Sequence, residues 1–187
     1  MRYIVSIVVL VAMAGAVAAA EVAGVKLDDK VNVAGKELVL NGAGVRTRAV
    51  FKVYVGSLYV PAKSGTMAAV LSAVPRRVQL NLLRNLSADQ LVDALVDGLK
   101  DNTSDNEFAS LKPQVDQMVG VMKSFGDVKE GQVVTIDFAD GTTRLALDGQ
   151  PKGEVAGEAF NRALVRVWIG DKPVQGELKR AMLGDGR

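Results

Sequence analysis

None of the 187 residues is a cysteine or a histidine. Such a chain cannot be stapled by disulfides and cannot build a zinc site of the usual type, so its fold must rest on a packed apolar core. The same absence removes thiol nucleophiles and every histidine-based triad. The chemistry left belongs to Arg, Lys, Asp, Glu, Tyr, Ser, Thr and Asn. With 49% hydrophobic and 24% charged residues the composition suits a core, and the length suits one domain. Lys+Arg 23 against Asp+Glu 21 leaves +2, too little for a global field that would draw the chain to nucleic acid or an acidic membrane. Neither a metal nor a cofactor is expected.

The start of the chain reads as a leader. Met1-Arg2-Tyr3 is a short positive segment, residues 4–13 are apolar apart from Ser6, and residues 14–20 are small, with Ala18 and Ala20 suiting a cleavage site. The pattern predicts a signal peptide over 1–20, cut after Ala20, and one domain over 21–187. The alternative is an uncleaved anchor helix. No later stretch approaches the roughly 18 apolar residues of a membrane span, so no stable membrane insertion is expected after cleavage. An exported chain without cysteine points to the periplasm of a Gram-negative bacterium.

Along residues 21–187 there is no repeat and no linker. Residues 25–33 read as one strand, 37–40 as another, and Asn41-Gly42-Ala43-Gly44 as a glycine-rich turn. Residues 45–60, rich in Val, Tyr, Phe and Thr, read as a single strand ended by Pro61. A short helix is expected over 66–73 and a strand over 77–83. Ser87-Ala88-Asp89-Gln90 is a capping box ahead of a helix carrying Leu91, Leu95 and Leu99. Residues 101–105 read as a loop, and 113–125 as a helix with Pro113 in its first turn. Residues 133–138 and 143–147 form a hairpin, Asp148-Gly149 turns again, and helices follow over 158–169 and 176–183. Without regular βαβ alternation, the order favours an α+β fold with a mainly antiparallel sheet.

Few residues could carry chemistry. The glycine cluster at 42–44 is not a phosphate loop, because no Gly-Lys-Ser/Thr follows and the next element is a strand. Arg46, Arg48 and Lys52 share the even-numbered face of their strand with Tyr54 further on, while Phe51, Val53 and Val55 mark the other face as core. That cationic face is either solvated or the charged end of an apolar pocket. In the second case an arginine fork grips a carboxylate or enolate and the tyrosine adds a neutral donor. Asp89, Asp93 and Asp97 read as a solvated helix face, Lys179-Arg180 as a helix C-terminus, and Trp168 with Phe160 and Leu164 as core.

Two segments resemble a known family. Leu40-Asn41-Gly42-Ala43-Gly44-Val45-Arg46, followed by residues 51–60, resembles the opening motif of the chalcone-isomerase fold. Phe160, Ala163-Leu164, residues 168–174, Leu178-Lys179 and Met182-Leu183-Gly184 resemble the closing segment of its bacterial exported branch, and residues 140–149 its hairpin. The likeness spans about residues 22–184. It implies an open-faced β-sandwich, a large antiparallel sheet covered on one face by helices with a ligand cleft between. In the plant isomerases the arginine matching Arg46 polarises the substrate, and in the related fatty-acid-binding proteins it holds a ligand carboxylate with the tyrosine matching Tyr54. True isomerases carry a threonine there and need a further tyrosine on the first long helix. Here the tyrosines are Tyr3, Tyr54 and Tyr59, none of them on that helix.

The resemblance therefore implies a non-catalytic periplasmic binding protein for a fatty acid or similar amphiphilic carboxylate, with Arg46 at the cleft floor. The alternatives are an intramolecular lyase acting on an enone, with Arg46 polarising its carbonyl, and an interaction module with a filled core. Arg46 and Tyr54 would lie roughly 26 Å apart on one straight strand at about 3.3 Å per residue. They meet only if the chain folds back, and residues 47–53 hold no Gly, Pro, Asn or Asp to turn it. Arg48 is the substitute partner.

Overall fold

The computed structural model describes residues 20–185. A small hairpin, β1 (Ala20–Val22) and β2 (Val25–Leu27), precedes β3 (Lys30–Val33), β4 (Lys36–Arg48) and β5 (Phe51–Val60). A short helix, α1 (Met67–Ser72), leads to β6 (Arg76–Leu82). Next come α2 (Ala88–Asp101), α3 (Asp105–Ser110) and α4 (Lys112–Ser124), then β7 (Val133–Ala139), β8 (Thr142–Leu147) and β9 (Gln150–Ala156). The described chain ends with α5 (Glu158–Ile169) and α6 (Gly176–Met182). Strands β3 to β9 form one seven-stranded antiparallel sheet in chain order. Leu95 and Leu99 of α2, Met118 of α4 and Phe160 and Leu164 of α5 join Val78, Leu80, Ile136 and Leu145 of the sheet in one apolar cluster. This is the expected α+β architecture, a large antiparallel sheet with helices over one face. The predicted leader lies outside the described residues except for Ala20.

Local sequence explains many boundaries. The Ser87 hydroxyl accepts from Gln90 N at 3.1 Å and the Gln90 side chain accepts from Ser87 N at 3.1 Å, so the capping box starts α2. Pro113 sits in the first turn of α4, where a missing N–H leaves no bond unmade. Ala34-Gly35, Asp140-Gly141 and Asp148-Gly149 take positive φ at both positions, the type I′ pattern that joins twisted strands in two residues. Asp89, Asp93 and Asp97 all face solvent, as expected.

Four readings of the sequence are corrected. Residues 25–33 split between β2 and β3, which belong to different sheets. Residues 105–110 form α3, and 150–156 form β9, where no element was expected. Residues 41–44 do not turn: β4 runs through them with a bulge at Asn41. The glycines serve a close approach instead. A Cβ at Gly42 would stand 2.0 Å from the Ala181 carbonyl oxygen, and one at Gly44 2.7 Å from the Ala181 Cβ, so α6 lies directly on the strand. Asn41 fastens the contact, donating to Met182 O at 2.7 Å and Ser64 O at 2.9 Å and accepting from Ser64 N at 2.7 Å.

The fourth correction concerns residues 45–60. The chain reverses at Ala49-Val50, pairing Arg48 with Phe51 and Arg46 with Tyr54. Ala49 takes φ +53° and Val50 does not, a II′-like turn without the usual glycine. Of the predicted core face, Val53 and Val55 are buried as expected and Phe51 is not. Phe51 is 57% exposed, whereas Tyr54, Leu58 and Val60 point into the core beneath the helices.

Candidate functional site

Between the sheet and α2, α4 and α5 runs a cleft whose wall is apolar almost throughout. Leu80, Ile136 and Leu145 form its floor, Leu91 and Leu95 of α2 and Met122 and Phe125 at the end of α4 form its roof, and Val167, Trp168 and Val174 close one side. About 540 Å³ of atom-free space lies within it, the part open to solvent included. The enclosed cavity itself is small, about 60 Å³. The apolar stripe of α2, legible from its leucine spacing, thus serves both core and cleft.

One polar pair stands on this wall. Trp168 Nε1 donates to the Tyr54 hydroxyl oxygen at 3.1 Å. Indole nitrogen can only donate, so the phenol is the acceptor and its own hydrogen remains available. Among the described residues no group accepts that hydrogen. Burial pushes the Tyr54 phenol up to about 12, against the smaller opposing effects of the Trp168 hydrogen bond and the Arg46 charge. The group is therefore a neutral donor throughout the physiological range, and no base for proton abstraction.

Arg46 is the cross-strand neighbour of Tyr54, and such pairs hold their Cβ atoms about 5 Å apart. The fold thus brings together the two residues that the missing turn former had seemed to separate. A bulge at Val53 completes the register, since Thr47 pairs with Lys52. Arg46 is half-buried and stands at the rim, not on the wall. Its Nη1 donates to Thr47 O and, at 3.3 Å, to Gln175 Oε1, which also accepts from Thr47 N at 2.8 Å. No described carboxylate pairs with it. Asp137 is held bidentately by Arg77 at 2.5 and 2.7 Å, and Glu107 by Arg166. Its guanidinium keeps donors free at the cleft rim.

Arg48, the substitute partner, is exposed at the end of β4 and makes no described side-chain bond; it does not reach the cleft. Trp168 is buried as expected, and its bond to Tyr54 is the part sequence could not supply. Gln175 was missed altogether. The available signal was its place directly after Pro173-Val174, in the segment that crosses the β4–β5 end. The helix tyrosine of the isomerases has no counterpart: α2 offers the cleft Leu91, Ala94 and Leu95. Among the described residues no cluster of acids could hold a metal ion.

A comparison with curated protein sequences found no match. Among solved structures, a fatty-acid-binding protein of Arabidopsis thaliana superposes with a TM-score of 0.72 over 86% of this chain and 92% of its own, at 13% identity. At that identity the likeness is one of fold. The two motifs that carry the sequence resemblance, at 40–46 and 168–184, are also the two that meet in space where α6 lies on β4. A chalcone isomerase-like family model matches residues 19–184, nearly all the described chain, and the protein belongs to that family.

Proposed function

We propose that the protein is a non-catalytic binding protein for a fatty acid or similar amphiphilic carboxylate. The tail lies in the apolar cleft, and the carboxylate meets the Tyr54 hydroxyl and the Arg46 guanidinium at its end. The observation that carries this reading is a Tyr54 hydrogen on an otherwise apolar wall, beside Arg46, with no acceptor for the one and no acidic partner for the other among the described residues. Such an arginine is costly to desolvate without an acceptor, and a carboxylate would supply one through charge-assisted bonds. The lyase reading loses support because the wall carries no group that could move a proton near neutral pH.

The arrangement of residues 1–20 supports export, with cleavage after Ala20 and a periplasmic location. N-terminal sequencing of the protein from its native source is expected to begin at Glu21, and a mature chain that retains Met1 refutes it.

Titration with dodecanoate and dodecanol, followed by Trp168 emission, tests the ligand class. Trp168 is the single tryptophan and lines the cleft. The acid is expected to bind tighter than the alcohol, and Arg46→Ala to weaken the acid about 10- to 100-fold, as charge-assisted hydrogen bonds are worth. Equal affinity for the two ligands, or no effect of Arg46→Ala, overturns the reading. Cyclisation of a chalcone by wild type, abolished in Arg46→Ala, would establish the lyase instead.

A further inference from the structure

The β4–β5 turn carries two large apolar side chains into solvent: Val50 is 84% exposed and Phe51 57%. Cations flank them in the chain. Residues 46–52 hold Arg46, Arg48 and Lys52 and no acid. Arg84, at the end of the neighbouring strand, lays its guanidinium over the Phe51 ring with its central carbon 4.8 Å from the centroid. Beyond it, the loop bonded to Asn85 adds one charge of each sign, Lys129 and Glu130. The chain's net charge of +2 therefore conceals a local excess of positive charge at this one tip.

We propose that this hairpin tip is a docking surface for an anionic lipid bilayer. The two parts of the patch suit the two layers of such a surface. Val50 and Phe51 enter the acyl boundary, where an interfacial element buries its apolar face about 5–10 Å deep. Arg48, Lys52 and Arg84 remain at the level of the phosphates, which attract juxtamembrane cations. An aromatic ring already stacked under a guanidinium enters the interface with less side-chain freedom left to lose. The geometry also relates the tip to the cleft. Tyr54 lies four residues from Val50, about 13 Å along an extended strand, so docking sets the rim arginine just behind the headgroup layer. The surface is peripheral: among the described residues no helix is long and apolar enough to cross a membrane. The docking does not depend on what the cleft holds.

Sedimentation of the protein with phosphatidylcholine vesicles, with and without about 30% phosphatidylglycerol, tests the proposal in the absence of added fatty acid. Three proteins are compared: wild type, Val50→Ser/Phe51→Ser, and Arg48→Gln/Lys52→Gln/Arg84→Gln. These side chains are exposed or at the rim, and a thermal melt of each variant verifies folding. Wild type is expected to bind the anionic vesicles and to be released by raised salt. The triple variant should lose about 100-fold in partitioning, roughly fivefold for each cation removed. The double variant should lose about tenfold or more. Because the three proteins share every other segment, their difference isolates the tip. Equal binding to both vesicle types, or variants that bind like wild type, overturns the proposal. So does concentration-dependent self-association abolished by the double variant without vesicle binding, which would make the tip a contact between copies of this chain.

Discussion

Replacing Tyr54 by phenylalanine keeps the ring and removes only the hydroxyl, so it separates the two roles given to that group. The hydroxyl is the acceptor for Trp168 Nε1 at 3.1 Å, and Trp168 is 4% exposed. Deleting the acceptor leaves a buried indole N–H unbonded, which costs about 1–3 kcal/mol. The relief of desolvating one hydroxyl fewer offsets part of this. A net loss of about 1–2 kcal/mol lowers Tm by roughly 2–8 °C in a chain of this size. In the liganded protein the variant also forfeits the hydrogen bond from the phenol to a carboxylate. A bond to a charged acceptor is worth about 1.5–3 kcal/mol, or roughly 10- to 100-fold in affinity. A neutral alcohol at the same place should lose only a few-fold. Titrations of wild type and Tyr54→Phe with dodecanoate and dodecanol, read by Trp168 emission beside calorimetric melts, measure all four quantities. Unchanged affinity for the acid would show that the hydrogen of Tyr54 is not directed at the ligand. An acid and an alcohol that lose affinity equally would show that no carboxylate sits there.

Three further outcomes follow from the geometry. Gln175→Glu places a carboxylate where Oε1 now lies 3.3 Å from Arg46 Nη1, so binding of dodecanoate should weaken about tenfold while the Tm stays level or rises slightly; tighter acid binding would refute the role of Arg46. Gly42→Ala must push the Ala181 carbonyl more than about 1 Å off β4, since the new Cβ would start 2.0 Å from it, so chemical denaturation should register a loss of about 1–3 kcal/mol, and a midpoint equal to wild type would refute the close approach. Stability should fall as pH rises from about 10 to about 12, because the unfolded chain releases the Tyr54 proton first and then binds fewer protons than the folded one. The full effect is about 3 kcal/mol, and Tyr54→Phe should remove that component from a urea-denaturation series across this range.

Elements whose ends depend on their own residues were legible. Ser87 with Gln90, Pro113, and the Asp-Gly pairs at 140–141 and 148–149 act through hydrogen bonds and φ preferences within four residues, so sequence alone places α2, α4 and the β7–β8 hairpin. The composition, lacking cysteine and histidine, also determined that stability comes from a core, and it left any side-chain chemistry to Arg, Lys, Asp, Glu, Tyr, Ser, Thr and Asn. Arg46 and Tyr54 were legible as candidates from their shared even-numbered strand face and from the family resemblance.

What the tertiary structure alone decided is where the chain reverses and what the glycines are for. A glycine in a turn and a glycine under a helix look alike in sequence, and only the contact with Ala181, far along the chain, distinguishes them. The Ala49-Val50 turn has no local advocate: a positive φ at alanine is unfavourable by about 1 kcal/mol or more. The strand pairing on either side and the burial of Tyr54, Leu58 and Val60 outweigh it. Trp168 and Gln175 enter the site from more than a hundred residues away in the same manner. Long-range burial is larger than any single turn preference, so the sheet sets the register, and the register makes the site.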